Sequence, residues 1–122
     1  MSEGNALVDR QRLEEIAALN EAGKPDFVVE MLGDFEMVFR KRYAAAVGAL
    51  DSGQLLRLQE FAHTMKSSSA NVGAVKLAQL CRALENAAKR EEPDAARELL
   101  WLVIGVFGET LSEVAKIKAE RA

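Results

Sequence analysis

Hydrophobic residues return every three or four positions through each long stretch of this chain, and no stretch alternates as a strand would. From Val8 to about Asn20, Leu13, Ile16 and Leu19 make the apolar side of a first short helix, which Gly23-Lys24-Pro25 ends. Pro25 suits the opening of a second helix, where its missing N–H costs nothing. That helix reaches about Leu50 on a stripe of Val28, Leu32, Phe35, Phe39, Ala46 and Leu50. Asp51-Ser52-Gly53 makes a turn, and Asp51 or Ser52 is placed to accept hydrogen bonds from the free N–H groups of a third helix.

Leu55, Leu58, Ala62, Met65, Ser69 and Val72 form the seam of that third helix, and Gly73 is its left-handed stop. A fourth helix spans about Val75 to Arg90, with Leu77, Leu80, Cys81, Leu84 and Ala88 facing inward. Glu91-Glu92-Pro93-Asp94 breaks it and starts a fifth, to about Lys118. Two apolar stripes mark this last helix, Leu99, Leu102, Val106 and Leu100, Ile104, Phe107, Leu111, so it is expected to be the most buried. Trp101 is read as core, with any exposed part available for a dimer contact. Short connections favour antiparallel neighbours. The expected fold is all-α: an antiparallel up-down four-helix bundle from helices two to five, with the first packed across one end.

At 122 residues the chain makes a single domain, 1–122, with termini frayed at about 1–6 and 119–122. Sixteen Lys+Arg against 19 Asp+Glu, a net charge of −3, argue against a partner that is nucleic acid. The apolar run from Leu99 to Phe107 is too short for a membrane span, and the N-terminus lacks a secretory pattern. The single cysteine, Cys81, makes no internal disulfide and is read as a small core residue. A cytoplasmic monomer is expected.

The chemistry centres on His63, the only histidine, within Ala62-His63-Thr64-Met65-Lys66-Ser67-Ser68-Ser69-Ala70-Asn71-Val72-Gly73. At about 100° per residue, His63 lies roughly 130° from the centre of its helix's seam and therefore points to solvent. It stands beside Leu56, Gln59, Ser67 and Ala70. A free imidazole is largely neutral at pH 7 and needs no strong base to act as a nucleophile. Ser67 and Ala70, at i+4 and i+7, leave clearance for another protein. Lys66, at i+3, can reach a phosphoryl group on the ring. Such a pair is worth about 3 kcal/mol at an effective dielectric of 20 and under about 1 in water, too little to make Lys66 the main catalyst.

Ala62-His63-Thr64-Met65-Lys66 followed by Ser68 to Ala74, with Leu77, Cys81, Leu84 and Glu85 on the next helix, resembles the signature of histidine phosphotransfer (HPt) domains of two-component phosphorelays. The resemblance implies that His63 is the phosphoacceptor, taking a phosphoryl group from a receiver-domain aspartate or a kinase and passing it to another receiver. Lys66 matches the family's supporting lysine. Ser67 stands where the family often has glycine, and Glu85 near a Gln or Glu that hydrogen-bonds the imidazole. The implied partners are response-regulator receiver domains and a hybrid sensor histidine kinase. No cofactor is expected on this chain, and Mg²⁺ is expected in the receiver. The docking face is expected around Leu56, Gln59, Glu60, Ser67, Ala70 and Asn71.

A competing reading is an HPt-like binding module that regulates a receiver or kinase without carrying phosphate, which Ser67 in place of glycine favours. Ser67 to Ser69 lack the base and oxyanion arrangement of a serine nucleophile. Glu60-Phe61-Ala62-His63 spells the E-x-x-H of di-iron bundles, but that site needs two such pairs and this chain has one histidine. No glycine-rich nucleotide loop supports an autonomous kinase.

Overall fold

The computed structural model describes residues 7–121; the expected fraying of residues 1–6 and of Ala122 lies outside them. Five helices follow one another: α1 (Arg10–Ala17), α2 (Phe27–Asp51), α3 (Leu55–Asn71), α4 (Val75–Lys89) and α5 (Pro93–Glu120). Helices α2 to α5 form an antiparallel bundle in which each packs on the next, and a lighter α2–α5 contact closes the ring. Thus α3 and α4 carry one flank, and α2 and α5 the opposite one.

The three turns that reverse the bundle are built alike. Each preceding helix ends on a left-handed residue, Gly53 (φ 70), Gly73 (φ 75) or Glu91 (φ 57). The next N–H in each case reaches back five residues: Gln54 to Ala49, Ala74 to Ser69 and Glu92 to Ala87, at 2.8–2.9 Å. This pairing satisfies carbonyls that a helix end otherwise leaves open, and it folds the chain back at once. Asp51 and Ser52 do not cap α3, contrary to expectation. Asp51 is the last residue of α2, and the Ser52 hydroxyl donates to the Gly48 carbonyl at 2.8 Å. The tight turn spends both residues on finishing α2, and α3 starts at Leu55 after Gln54, whose side chain makes no capping hydrogen bond.

The seams of α2 and α3 bury almost as the spacing predicts. Val28, Leu32, Phe35, Phe39, Ala46 and Leu50 are buried from α2, and Leu58, Ala62, Met65, Ser69 and Val72 from α3 and its end. Leu55 packs partly against the core, as does Leu80 of α4. At the centre Phe39 stacks on Phe107 with ring centroids 4.3 Å apart, and Phe35 meets both rings at an angle. Ser69 and Thr110 are buried without cost in unpaired groups, because each hydroxyl donates to the carbonyl four residues back.

Helix α5 departs from expectation. Its seam is Leu100, Val103, Phe107, Thr110, Val114 and Ile117, spaced alternately by three and four. Trp101, Leu102 and Ile104 are instead exposed, Trp101 by 75%. A helix with neighbours on one side buries one face, so each expected stripe is split: Leu100, Val106 and Phe107 are buried, and Leu102 and Ile104 face outward. The helix runs past the expected end near Lys118 to Glu120, and Arg121 holds Asp26 at 2.8 Å.

Helix α1 is anchored across the end where α3 turns into α4. The Asp9 N–H donates to the Gly73 carbonyl at 2.7 Å, and Arg10 pairs with Glu113 and Glu120 of α5. Leu13 is buried, but α1 stops at Ala17 and leaves Leu19 72% exposed, outside the helix rather than on its apolar side. The second helix opens at Phe27, not Pro25: the Asp26 carboxylate accepts from the Val28 and Val29 N–H groups as its cap. Arg121 beside Asp26, against some loss of hydration, holds that carboxyl below its usual range.

Candidate functional site

His63 sits mid-way along α3 with its side chain 57% exposed, on the flank shared with α4. The seam residues Ala62 and Met65 are fully buried, and this fixes the rotation of the helix that turns position 63 outward. Across the groove, α4 buries Leu77, Cys81, Leu84 and Ala88, and the same logic turns Glu85 toward α3.

Glu85 bridges two side chains. One carboxylate oxygen, Oε2, lies 2.8 Å from His63 Nδ1, and the other, Oε1, accepts from Lys66 Nζ at 2.8 Å. Partial burial of Glu85 opposes its ionisation, but the hydrogen bonds from Lys66 and His63 outweigh it and hold the carboxyl below its usual range. An ionised carboxylate only accepts, so Nδ1–H is the donor in this contact, and in the neutral ring Nε2 keeps its lone pair. The contact favours one tautomer of a ring whose side chain is 57% exposed.

A shallow depression of about 410 Å³ surrounds the ring, lined by Leu56, Gln59, Glu60, His63, Thr64 and Glu85. The expected site residues His63, Lys66 and Glu85 therefore meet, with Leu56, Gln59 and Glu60 beside them. Ala70 lies farther along the groove in a second depression with Lys66, Ala78, Gln79 and Arg82. Ser67 is exposed on α3 between the two. Asn71 faces elsewhere: it lines a recess with Met31, Asp34 and Val38 on the α2 side. Lys66 is half-buried and tied to Glu85 rather than free beside the ring.

Sequence reasoning missed Thr64 and the α4 residues Ala78, Gln79 and Arg82. Their signal lay in Glu85 itself, because Ala78 and Arg82 precede it by two turns and one turn on the same helix face. Among the described residues no three His, Cys, Asp or Glu side chains gather as metal ligands.

The model of the Hpt domain matches residues 30–117, most of the chain. No curated protein matches the sequence. The crystal structure of histidine-containing phosphotransfer protein B from Pseudomonas aeruginosa PAO1 is similar at a TM-score of 0.86 and 26% identity, over 97% of this chain and 98% of that one. Two plant structures share the fold. The histidine-containing phosphotransfer protein ZmHP2 from maize has a TM-score of 0.81 at 22% identity, over 95% and 88% of the two chains. MtHPt2 from Medicago truncatula has 0.71 at 21%, over 98% and 95%. With the matched segment spanning the helix of His63 and the helix of Glu85, the chain belongs to the Hpt domain family.

Proposed function

We propose that this chain is a phosphorelay intermediate in which His63 Nε2 takes a phosphoryl group from the aspartyl phosphate of a receiver domain and passes it to the receiver of another response regulator. The first donor is a hybrid sensor histidine kinase or its receiver, and the setting is cytoplasmic. The observation that carries this reading is an exposed imidazole whose Nδ1 is held by Glu85 at 2.8 Å.

In the transfer, the Nε2 lone pair attacks phosphorus, and the bond from phosphorus to the aspartyl oxygen breaks with its electron pair staying on the carboxylate. The ring becomes a phosphoimidazolium whose positive charge is shared with Nδ1–H and faces Glu85. No proton has to leave, because Nδ1–H was present before the attack. Onward transfer reverses these changes: an aspartate oxygen attacks phosphorus and a neutral imidazole departs. An imidazole is a far better leaving group than an imidazolate, so retaining the Nδ1 proton keeps the second step open.

Phosphoryl transfer draws its rate mainly from positioning and from positive charge near the equatorial oxygens. This chain contributes the positioned nucleophile and one tethered lysine. Mg²⁺ and the acidic residues that hold it belong to the receiver in this reading. Leu56, Gln59 and Glu60 would meet that receiver directly, Ser67 and Ala70 would set how closely it approaches, and Asn71 would lie at the edge of the contact.

The test is transfer from a phosphorylated receiver with Mg²⁺. The chain should acquire one acid-labile, base-stable phosphate, and His63→Gln should lose it with helical content unchanged. Label that persists in the variant would remove His63 from the role. A variant that binds receivers as before, from a parent that never accepts phosphate, would favour the non-phosphorylated binding module.

A further inference from the structure

The two flanks of the bundle differ in charge. Helices α3 and α4, which carry His63, hold five basic residues (Arg57, Lys66, Lys76, Arg82 and Lys89) against two acidic ones (Glu60 and Glu85), a net +3. Helices α2 and α5 hold six basic residues against nine acidic ones, a net −3. A chain of net charge −3 thus turns a positive side toward whatever meets His63.

The cations on that side are not equivalent. Lys66 is held by Glu85 at 2.8 Å. Arg82, one turn before Glu85 on the same face of α4, is exposed and pairs with no carboxylate among the described residues. It stands at the edge of the depression of about 290 Å³ beside Lys66, whose other lining residues are Ala70, Val75, Ala78 and Gln79. No acidic side chain lines this depression, whereas Glu60 and Glu85 line the one around the ring. The short side chains of Ala70 and Ala78 keep it open, and the Gln79 amide, three residues from Arg82, adds a donor on the same helix face. An open notch with a guanidinium and an amide at its edge, and no carboxylate of its own, is suited to take one from a partner.

The identity of that partner rests on the relay reading above. For the aspartyl phosphate of a receiver to meet Nε2 in line, the carboxylates that hold the receiver's Mg²⁺ must come down over the same flank. The acidic rim of the receiver then overlies α4 beside the ring. We infer that Arg82 is a docking residue for the receiver, its guanidinium taking a carboxylate from the rim of the receiver's metal site, which seats in the depression beside Lys66. In this role Arg82 acts before the chemical step, on the affinity and rate of encounter.

Purified receiver domains with Mg²⁺ are titrated with the chain, and phosphate uptake from the same receivers, once phosphorylated, is followed in parallel. Arg82→Gln removes the charge and should weaken binding and raise KM about tenfold, the scale of one close interfacial charge pair, with kcat unchanged. The deficit should shrink as salt is raised, because screening weakens the wild-type contact. Arg82→Lys should recover part of it. Lys116→Gln, the same change of charge at an exposed position of α5, should alter neither binding nor KM. Binding of Arg82→Gln equal to wild type overturns the inference. So does a loss matched by Lys116→Gln, or a fall in kcat with binding intact. If the wild type binds receivers but takes no phosphate, the relay reading falls, and a tenfold weaker Arg82→Gln would still support the docking contact. A wild type that binds no receiver overturns both.

Discussion

Replacing Glu85 by alanine tests whether the carboxylate sets the tautomer of His63. The wild-type contact is 2.8 Å long, and the carboxylate side chain is 15% exposed. A hydrogen bond to a charged group contributes about 1.5–3 kcal/mol net, and water replaces part of that for a ring 57% exposed. About 1 kcal/mol of preference for Nδ1–H is therefore lost, which slows transfer to Nε2 by about fivefold. Because His63 is the only histidine, nitrogen-resolved NMR of its imidazole reads the tautomer without ambiguity. The variant should move from Nδ1–H toward a mixture as the initial rate of phosphate uptake falls. Glu85→Gln supplies one acceptor oxygen where Lys66 and His63 used two, so it should fall between wild type and alanine. Lys66→Met should leave the tautomer as it is, since the contact to Nδ1 does not depend on the lysine. If Glu85→Ala changes neither the tautomer nor the rate, the positioning argument is refuted.

Other outcomes follow from the same geometry. Gly73→Ala places a Cβ 3.0–3.2 Å from Asp9 backbone and Cβ atoms at φ 75, and should destabilise the fold by about 2–3 kcal/mol in urea titration. Glu91→Gly relaxes the same left-handed conformation without a clash and should instead raise the midpoint; equal effects would contradict the turn analysis. Both Asp26 and Glu85 have folded-state values below their usual range, so the stability they contribute is present above pH about 5 and is lost as pH falls through those lowered values. Acid unfolding of Arg121→Ala, which frees Asp26, should show less of that loss than wild type. Burial pushes the Cys81 thiol up to about 12, so a thiol reagent at pH 8 should label it only as fast as the protein opens.

The helix order and the outward turn of His63 were legible because they depend on spacing alone. Once Leu58, Ala62 and Met65 are assigned inward, position 63 has one direction left to face. The bridge to Glu85 was less legible, since it depends on the register of α4 against α3, and the resemblance rather than the spacing placed it. Trp101 misled for a different reason. Hydrophobicity marked both stripes of α5, but burial was decided by which side had neighbours, and a single chain's pattern does not contain that. Thr110 makes the same point in reverse: a polar residue continues the buried seam because its hydroxyl finds the Val106 carbonyl at 2.7 Å. The left-handed turn at Glu91 carried no glycine to announce it.

The pairing of Lys66 with Glu85 bears on how a relay must work. A phosphoryl group on Nε2 would be attracted by Lys66 and repelled by Glu85, and at an effective dielectric of 20 a pair of unit charges about 5 Å apart is worth about 3 kcal/mol. Glu85 lies closer to the ring, 2.8 Å from Nδ1, so it would also favour the positive charge that the ring acquires in the proposed transfer. A free lysine would stabilise the phosphohistidine, yet that gain would be added to the barrier for handing the group on, because release is acceptance run backwards. With Lys66 tethered to Glu85 at 2.8 Å, the proposed phosphohistidine would draw less on the lysine. In the proposed relay, the carboxylate that holds Nδ1 would thus also moderate the lysine, and the direction of transfer would rest on the partner receiver.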